Sequence, residues 1–279
     1  MHRSDPTFLW LLAEGAVDGF ATALGGTRLL TAEERASLDR RLTPGARRRY
    51  LGGRLLCRYA LSARTGRPLD HWRFTRGAHG RPEPAPAGGA GPGPRFNLSH
   101  SDGLLACVVT RGRGCGVDVG PTPAPAALTA HPDRWLAPGE RAELDRTAPG
   151  ARAALAGELW VLKEAYLKAL GTGLTGGPDR IAFVRRPGGR IAVRDPARPG
   201  AEARWRFDVI RPGPRHVLAV ATEAGRPGPL RRTDLSDLSH LSDPYHLSGL
   251  SGLPLPGPSG RPIPYDTALA RPGHRLLRT

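Results

Sequence analysis

Trp160-Val161-Leu162-Lys163-Glu164-Ala165-Tyr166-Leu167-Lys168-Ala169-Leu170-Gly171 decides how the chain is read. Leu155, Leu159, Leu162, Tyr166 and Leu170 recur at three- and four-residue steps, which predicts a long helix over about Gly150–Leu170. Gly171 and Gly173 end it. Glu164 and Lys168 are four apart and share one helix face. An exposed ion pair there would contribute little. The lysines argue for more than that. Of 41 basic residues only two, Lys163 and Lys168, are lysine, and both sit in this helix. Lysine is a compact point charge with a tunable pKa, and arginine is neither.

Working outward, short strands are predicted after this helix at 180–184, 190–194, 204–210 and 216–222. Upstream the pattern repeats. The chain is expected to open on a helical stretch, with Thr31 and Glu34 forming a capping box. A second helix follows over about 44–65, with Leu51, Leu55, Leu56 and Tyr59 on one side, stopped by Gly66-Arg67-Pro68. Pro82 to Pro94 is rich in Pro, Gly and Ala and is expected to be a flexible loop. Strands are predicted at 95–99, 104–110 and 114–119, with Asp102-Gly103 as a turn. Helix followed by antiparallel strands, twice over, is an α+β pattern. The expected division is an N-terminal half over 1–113, a C-terminal half over 114–224, and a disordered tail over 225–279. In that tail Leu-Ser-Asp and Leu-Ser-His units recur without a period that could bury a face.

A length of 279 residues at 39% hydrophobic content supports one medium domain or two intimately packed halves. No run of 18 apolar residues appears, so no membrane span is expected. The apolar run Phe8–Leu12 is short and interrupted by Glu14, so it does not read as a signal peptide. Cys57, Cys107 and Cys115 form no CxxC pair and are expected as buried free thiols in a reducing cytoplasm. The net charge of +16 invites a nucleic-acid reading. Against it, the arginines are spread through all segments, aromatics are only 6%, and no helix-turn-helix or zinc-finger spacing appears. The excess of Arg, Gly and Pro looks partly compositional. It still favours acidic partners and steers their approach.

Three segments carry chemistry. Phe96-Asn97-Leu98-Ser99-His100-Ser101 ends a strand in hydroxyls and an imidazole, groups that donate to phosphate oxygens. Gly114-Cys115-Gly116-Val117-Asp118-Val119 sets one carboxylate among small apolar residues, where it needs a cation or donor. The third is the Lys163-Glu164…Lys168 helix. Together, FNLSHS at 96–101, GVDVG at 116–120 and WVLKEAYLKALG at 160–171 resemble the 4′-phosphopantetheinyl transferases of the larger, surfactin type. That family's segments, in the same order, are FNxSHS, GxD(I/V)E and WxxKEAxxKxxG. Arg49 to Arg58 resembles the family's RxxxGRxLxR helix, and Gly80-Arg81-Pro82 its GKP segment. The resemblance covers about residues 25–223.

It implies two similar α+β halves forming an intramolecular pseudo-dimer, with coenzyme A in the cleft between them. Asp118 and Glu164 would hold Mg²⁺, a hard ion suited to carboxylate and phosphate oxygens. Arg49, Arg81, Ser99 and His100 would bind phosphates of coenzyme A, and Lys163 and Lys168 would flank its pyrophosphate. Glu164 and Lys168 would be catalytic, with Glu164 activating the serine of an acidic apo carrier protein. No serine nucleophile is then needed in this chain. A cytoplasmic monomer is implied, with no nucleic acid or membrane as partner. The sequence departs from the family at Gly120, where a second carboxylate usually stands and a water would take its place. That departure leaves a catalytically weakened coenzyme A-binding homologue as an alternative, beside a basic nucleic-acid-binding protein.

Overall fold

The computed structural model describes residues 5–77, 81–85, 93–173, 177–224 and 227–236. Its eleven strands in chain order are β1 (Asp5–Ala13), β2 (Phe74–Arg76), β3 (Pro82–Pro84), β4 (Pro94–Ser101), β5 (Leu104–Arg111), β6 (Cys115–Pro121), β7 (Ala182–Arg185), β8 (Ile191–Arg194), β9 (Trp205–Gly213), β10 (His216–Glu223) and β11 (Pro227–Asp234). The helices are α1 (Val17–Leu24), α2 (Ala32–Asp39), α3 (Pro44–Thr65), α4 (Ala126–Ala130), α5 (Pro138–Arg146), α6 (Pro149–Leu170) and α7 (Ala201–Arg204).

Two sheets form the body. One runs β11-β1-β5-β4, and the other runs β6-β10-β9. β2–β3 and β7–β8 are separate antiparallel hairpins. Each main sheet carries one 22-residue helix, α3 on the first and α6 on the second. The mixed α+β class expected from the sequence is therefore observed.

Alternation along the strands builds three apolar layers. Phe8, Trp10 and Leu12 of β1 join Leu105, Cys107 and Val109 of β5 against Leu55, Leu56 and Ala60 of α3. The opposite faces of those strands, Leu9, Leu11, Ala106 and Val108, meet Val117, Val119, Leu218 and Val220 of the second sheet. The two halves thus share a dry interface between sheets. The third layer packs α6 on the outer face of β10 through Val161, Leu162, Ala165, Val217 and Ala219. All three cysteines are free and buried within these layers, as expected.

Helix ends follow the sequence signals. Thr31 and Glu34 form the expected capping box. Thr43 accepts from Ala46 N at the start of α3, and Gly66 and Gly171 close α3 and α6 in left-handed conformation.

Two expectations need correcting. The chain opens on a strand, β1, where a helical stretch was expected. β1 is buried on both faces and so shows no polar alternation, which hides a strand from periodicity. The second concerns the tail. Residues 227–234 form β11, which pairs in parallel with β1, and Leu235 is fully buried among Leu12, Phe20 and Leu56. The main-chain N–H of Leu235 donates to Leu11 O, and Ser236 Oγ accepts from Ala13 N. This strand starts Pro-Gly-Pro and holds Leu230 as its one aliphatic residue, so composition alone made it look unstructured. Residues 237–279 of the expected disordered tail lie outside the described residues. Within the expected 82–94 loop, Pro82–Pro84 is a strand and 86–92 lie outside the described residues.

Candidate active site

The site forms where β4 crosses onto β6. Asn97 Oδ1 accepts from Val117 N at 2.9 Å, and Ser99 Oγ accepts from Val119 N at 3.3 Å. Both strands step by two residues, so alternate side chains of β4 meet alternate amides of β6. Side chains of one half therefore hold the main chain of the other.

β6 in turn lies directly on α6. A Cβ at Gly116 would press on the Ala165 carbonyl oxygen and sit 2.6 Å from Ala169 N. Glycine is required there by contact between backbones. At Gly120 a Cβ would sit 3.0 Å from Val161 Cγ1, so Val161 closes on the position where the resembling family has a carboxylate. Asp118, between these glycines on the same strand face, points to the polar side of α6.

Asp118 is buried, and its partners come from both halves. Ser99 Oγ donates to Asp118 Oδ1 at 2.8 Å. Lys168 Nζ donates to the same oxygen at 2.5 Å and to Ser99 Oγ at 3.1 Å. Glu164, one turn before Lys168, is half-buried. Burial pushes its carboxyl above the usual range and the neighbouring Asp118 adds to this, while Lys168 opposes both. Two carboxylates sharing one partly dry site call for a cation.

Arg49 of α3 and His100 of β4 border this cluster. Arg49 Nη1 meets Glu14 Oε2 at 3.1 Å and Asp102 Oδ1 at 2.8 Å. Glu14 also accepts from Gly103 N at 3.0 Å. Burial alone would raise the Glu14 carboxyl, but the Gly103 N–H and then Arg49 outweigh it and hold it below the usual range. The imidazole of His100 is held below its usual pKa by desolvation, then by Arg49 and Lys168. His216 of β10 closes the rim, its Nε2 lying 2.8 Å from Asp102 O.

The structure joins Asp118, Lys168 and Ser99 by hydrogen bonds and sets Glu164 beside them, while Arg49 is paired with Glu14 and Asp102 at the border. It does not bring Arg81 and Lys163 into this cluster. Arg81 bonds to main-chain carbonyls of Lys168 (2.5 Å), Phe96 (2.7 Å) and Cys115 (3.1 Å), pinning β4, β6 and the C-terminal end of α6. A cation there also suits the helix dipole. Lys163 is buried against Glu140 at 2.7 Å and donates to the carbonyls of Pro178 and Ile181. It lies on the core side of α6, one residue and about 100° round from Glu164. The expectation that both bind the ligand meets two side chains already spent on the framework. Glu14, Asp102, Asn97 and His216 were missed as site residues. For Glu14 the signal was its interruption of the Phe8–Leu12 apolar run. For Asp102 the sequence indicated only a turn.

Lys168, Ser99 and Asp118, drawn from α6, β4 and β6 with Glu164 beside them, make a polar cluster suited to a charged, oxygen-rich ligand. Residues 114–221 match the family model described as the 4′-phosphopantetheinyl transferase superfamily. The chain is 29% identical over 219 residues to the 4′-phosphopantetheinyl transferase HetI of Nostoc sp., covering 78% of this chain and 88% of that protein. It is 33% identical over 177 residues to the L-aminoadipate-semialdehyde dehydrogenase-phosphopantetheinyl transferase of Eremothecium gossypii, covering 59% of each. A solved apo-ACPS structure from Chronobacterium ammoiniagenes matches at 18% identity and a TM-score of 0.31, covering 40% of this chain and 98% of that one. The family match falls on the stretch that holds Asp118, Glu164 and Lys168.

Among the described residues no group of three or more His, Cys, Asp or Glu could hold a metal. The pair Asp118 and Glu164 still fits Mg²⁺, which binds through one or two carboxylates with waters and substrate phosphates. Both bonds to Asp118 fall on Oδ1, which leaves Oδ2 for a further ligand. No helix among the described residues is long and apolar enough to cross a membrane.

Proposed function

We propose that this chain moves the 4′-phosphopantetheine arm of coenzyme A onto a serine of an acidic apo carrier protein, as a surfactin-type, pseudo-dimeric member of the 4′-phosphopantetheinyl transferase superfamily. The observation that carries the reading is the Ser99–Asp118–Lys168 cluster, built from both halves beside Glu164. The carrier serine Oγ forms a bond to the β-phosphorus. The bridging P–O bond breaks, and adenosine 3′,5′-bisphosphate leaves.

Arg49 and His100 hold phosphate oxygens of coenzyme A, while Ser99, whose one proton goes to Asp118, fixes that carboxylate. Lys168 puts a compact positive charge beside the pyrophosphate, where negative charge gathers in the transition state. Glu164 takes the serine proton, directly or through a water. Its raised pKa makes it a stronger base than an ordinary carboxylate. Asp118 and Glu164 would hold Mg²⁺, which supplies charge neutralisation on the pyrophosphate when bound. Arg81 and Lys163 act through the framework: one fixes the strands under Ser99, the other fixes α6.

The test is incubation of the chain with coenzyme A, Mg²⁺ and a panel of apo carrier proteins, read by mass spectrometry. One added phosphopantetheine per carrier is expected. Asp118→Asn should abolish it while the chain stays folded. Absence of product across the panel from a folded chain would overturn the reading.

A further inference from the structure

A second basic site lies on the N-terminal half, away from the cluster at Asp118. A groove of about 660 Å³ runs across the far end of the first sheet. Arg64 and Arg67 line it from the end of α3, Arg95 from β4, and Arg111 from the end of β5. Arg95 stands five strand residues from His100, roughly 17 Å at the usual rise per residue. The groove is therefore a separate surface from the cleft.

Its cations outnumber its carboxylates: Arg64, Arg67, Arg95 and Arg111 share the lining with Asp5 and Glu83. The Arg64 guanidinium lies on the Phe8 ring at 3.6 Å, half-buried, with no carboxylate within ion-pair distance among the described residues. Burial disfavours its charge, Asp5 partly offsets this, and Arg231 adds repulsion. Arg111 is exposed and has no partner among the described residues. Arg95 reaches Glu83 only at 3.9 Å. A half-buried guanidinium without a carboxylate is unfavourable unless an anion is supplied. Guanidinium groups match carboxylates through paired N–H donors.

The dimensions narrow the ligand. A lone phosphate would leave most of the groove empty, and the arginines come from several elements rather than one point. The lining rings of Phe8, Trp72 and Phe96 are buried, so they offer no open platform on which a base could stack. An extended peptide with several carboxylates fits both the length and the spread of charge.

We propose that this groove binds an extended acidic segment of the protein that delivers the carrier serine. The choice of partner rests on the transferase reading. The binding chemistry does not. A contact here would tether the partner and raise the local concentration of its serine at the cleft.

The experiment is calorimetric titration of the full chain with a blocked Asp/Glu hexapeptide. The comparisons are its Asn/Gln counterpart, inorganic phosphate and a single-stranded oligonucleotide. The acidic peptide should bind, and its neutral counterpart should not. Arg64→Glu and Arg111→Glu should each weaken it at least tenfold and leave coenzyme A affinity unchanged. Arg111→Glu changes an exposed side chain, so it answers the question even where Arg64→Glu fails to fold. In turnover, Arg111→Glu should raise the KM for the apo carrier with kcat unchanged. Equal binding of the neutral peptide, tighter binding of the oligonucleotide, displacement by phosphate alone, or wild-type affinity in Arg111→Glu would each overturn the groove. Peptide binding together with no transfer to any carrier would instead overturn the transferase reading and the partner, and leave the acidic-segment site standing.

Discussion

Ending the chain after Ala224 should strip β1 of a neighbour and unfill the core beneath it. Leu235 is fully buried, and it comes from a segment whose composition looks unstructured. Truncating a buried leucine to alanine costs about 2–5 kcal/mol. For a folded body of this size each kcal/mol moves Tm by roughly 2–4 °C. A central cost of about 3 kcal/mol for Leu235→Ala then becomes a fall of roughly 6–12 °C. Loss of all of β11 should cost more, because the edge of β1 loses its parallel partner and Leu230 leaves the layer between the sheets. A chain ending at Ser236 keeps both contacts and should melt with the full-length protein. Thermal unfolding followed by circular dichroism on these three proteins is the assay. A melt of Leu235→Ala within about 2 °C of wild type would refute the docking of this strand.

Three further outcomes are expected. Lys168→Arg should lower kcat at least about tenfold, or about 1.4 kcal/mol in the barrier, because a planar head cannot sit between Ser99 Oγ and Asp118 Oδ1 as an ammonium does; a wild-type kcat in that variant would sink this role. Gly116→Ala should destabilise by about 1–3 kcal/mol by driving β6 off α6, visible as a lower urea midpoint, and an unchanged midpoint would contradict the backbone contact. Glu14 is held below its ordinary pKa, so its contribution is fully present above the unfolded value of 4.5 and is lost as pH falls through the lower folded value. Glu14→Gln should therefore flatten the acid limb of the stability–pH curve below about pH 4.5, and an identical limb in both proteins would show that the pairing with Gly103 and Arg49 contributes nothing.

Much of the framework was legible because its signals were local. The period of Leu155 to Leu170 and the glycine at 171 gave α6 within a residue. The Asp102-Gly103 turn gave the β4–β5 hairpin in register. β1 and β11 escaped for opposite reasons, one apolar on both faces and the other rich in proline and polar residues. Asp118, Lys168 and Ser99 meet directly, and it was the resemblance in their motifs that pointed to them together. Arg81 and Lys163 show the limit of that method. A basic residue next to a motif looks the same whether it faces a ligand or caps a row of carbonyls. Only the fold reveals that the two terminal nitrogens of Arg81 bond to three carbonyls from three elements.

The stitching of β4 to β6 has a consequence for sequence drift. The distance between the cleft walls is set by two short side chains, Asn97 and Ser99, reaching two amides. Neither the length nor the composition of the connecting loops enters that distance. Connections away from β4 and β6 can therefore accumulate proline, glycine and alanine under genomic pressure without moving the chemistry. Substitution at Asn97 would change the gauge of the cleft itself. Selection should accordingly act on a few strand positions and leave most of the surface to follow the base composition of its genome.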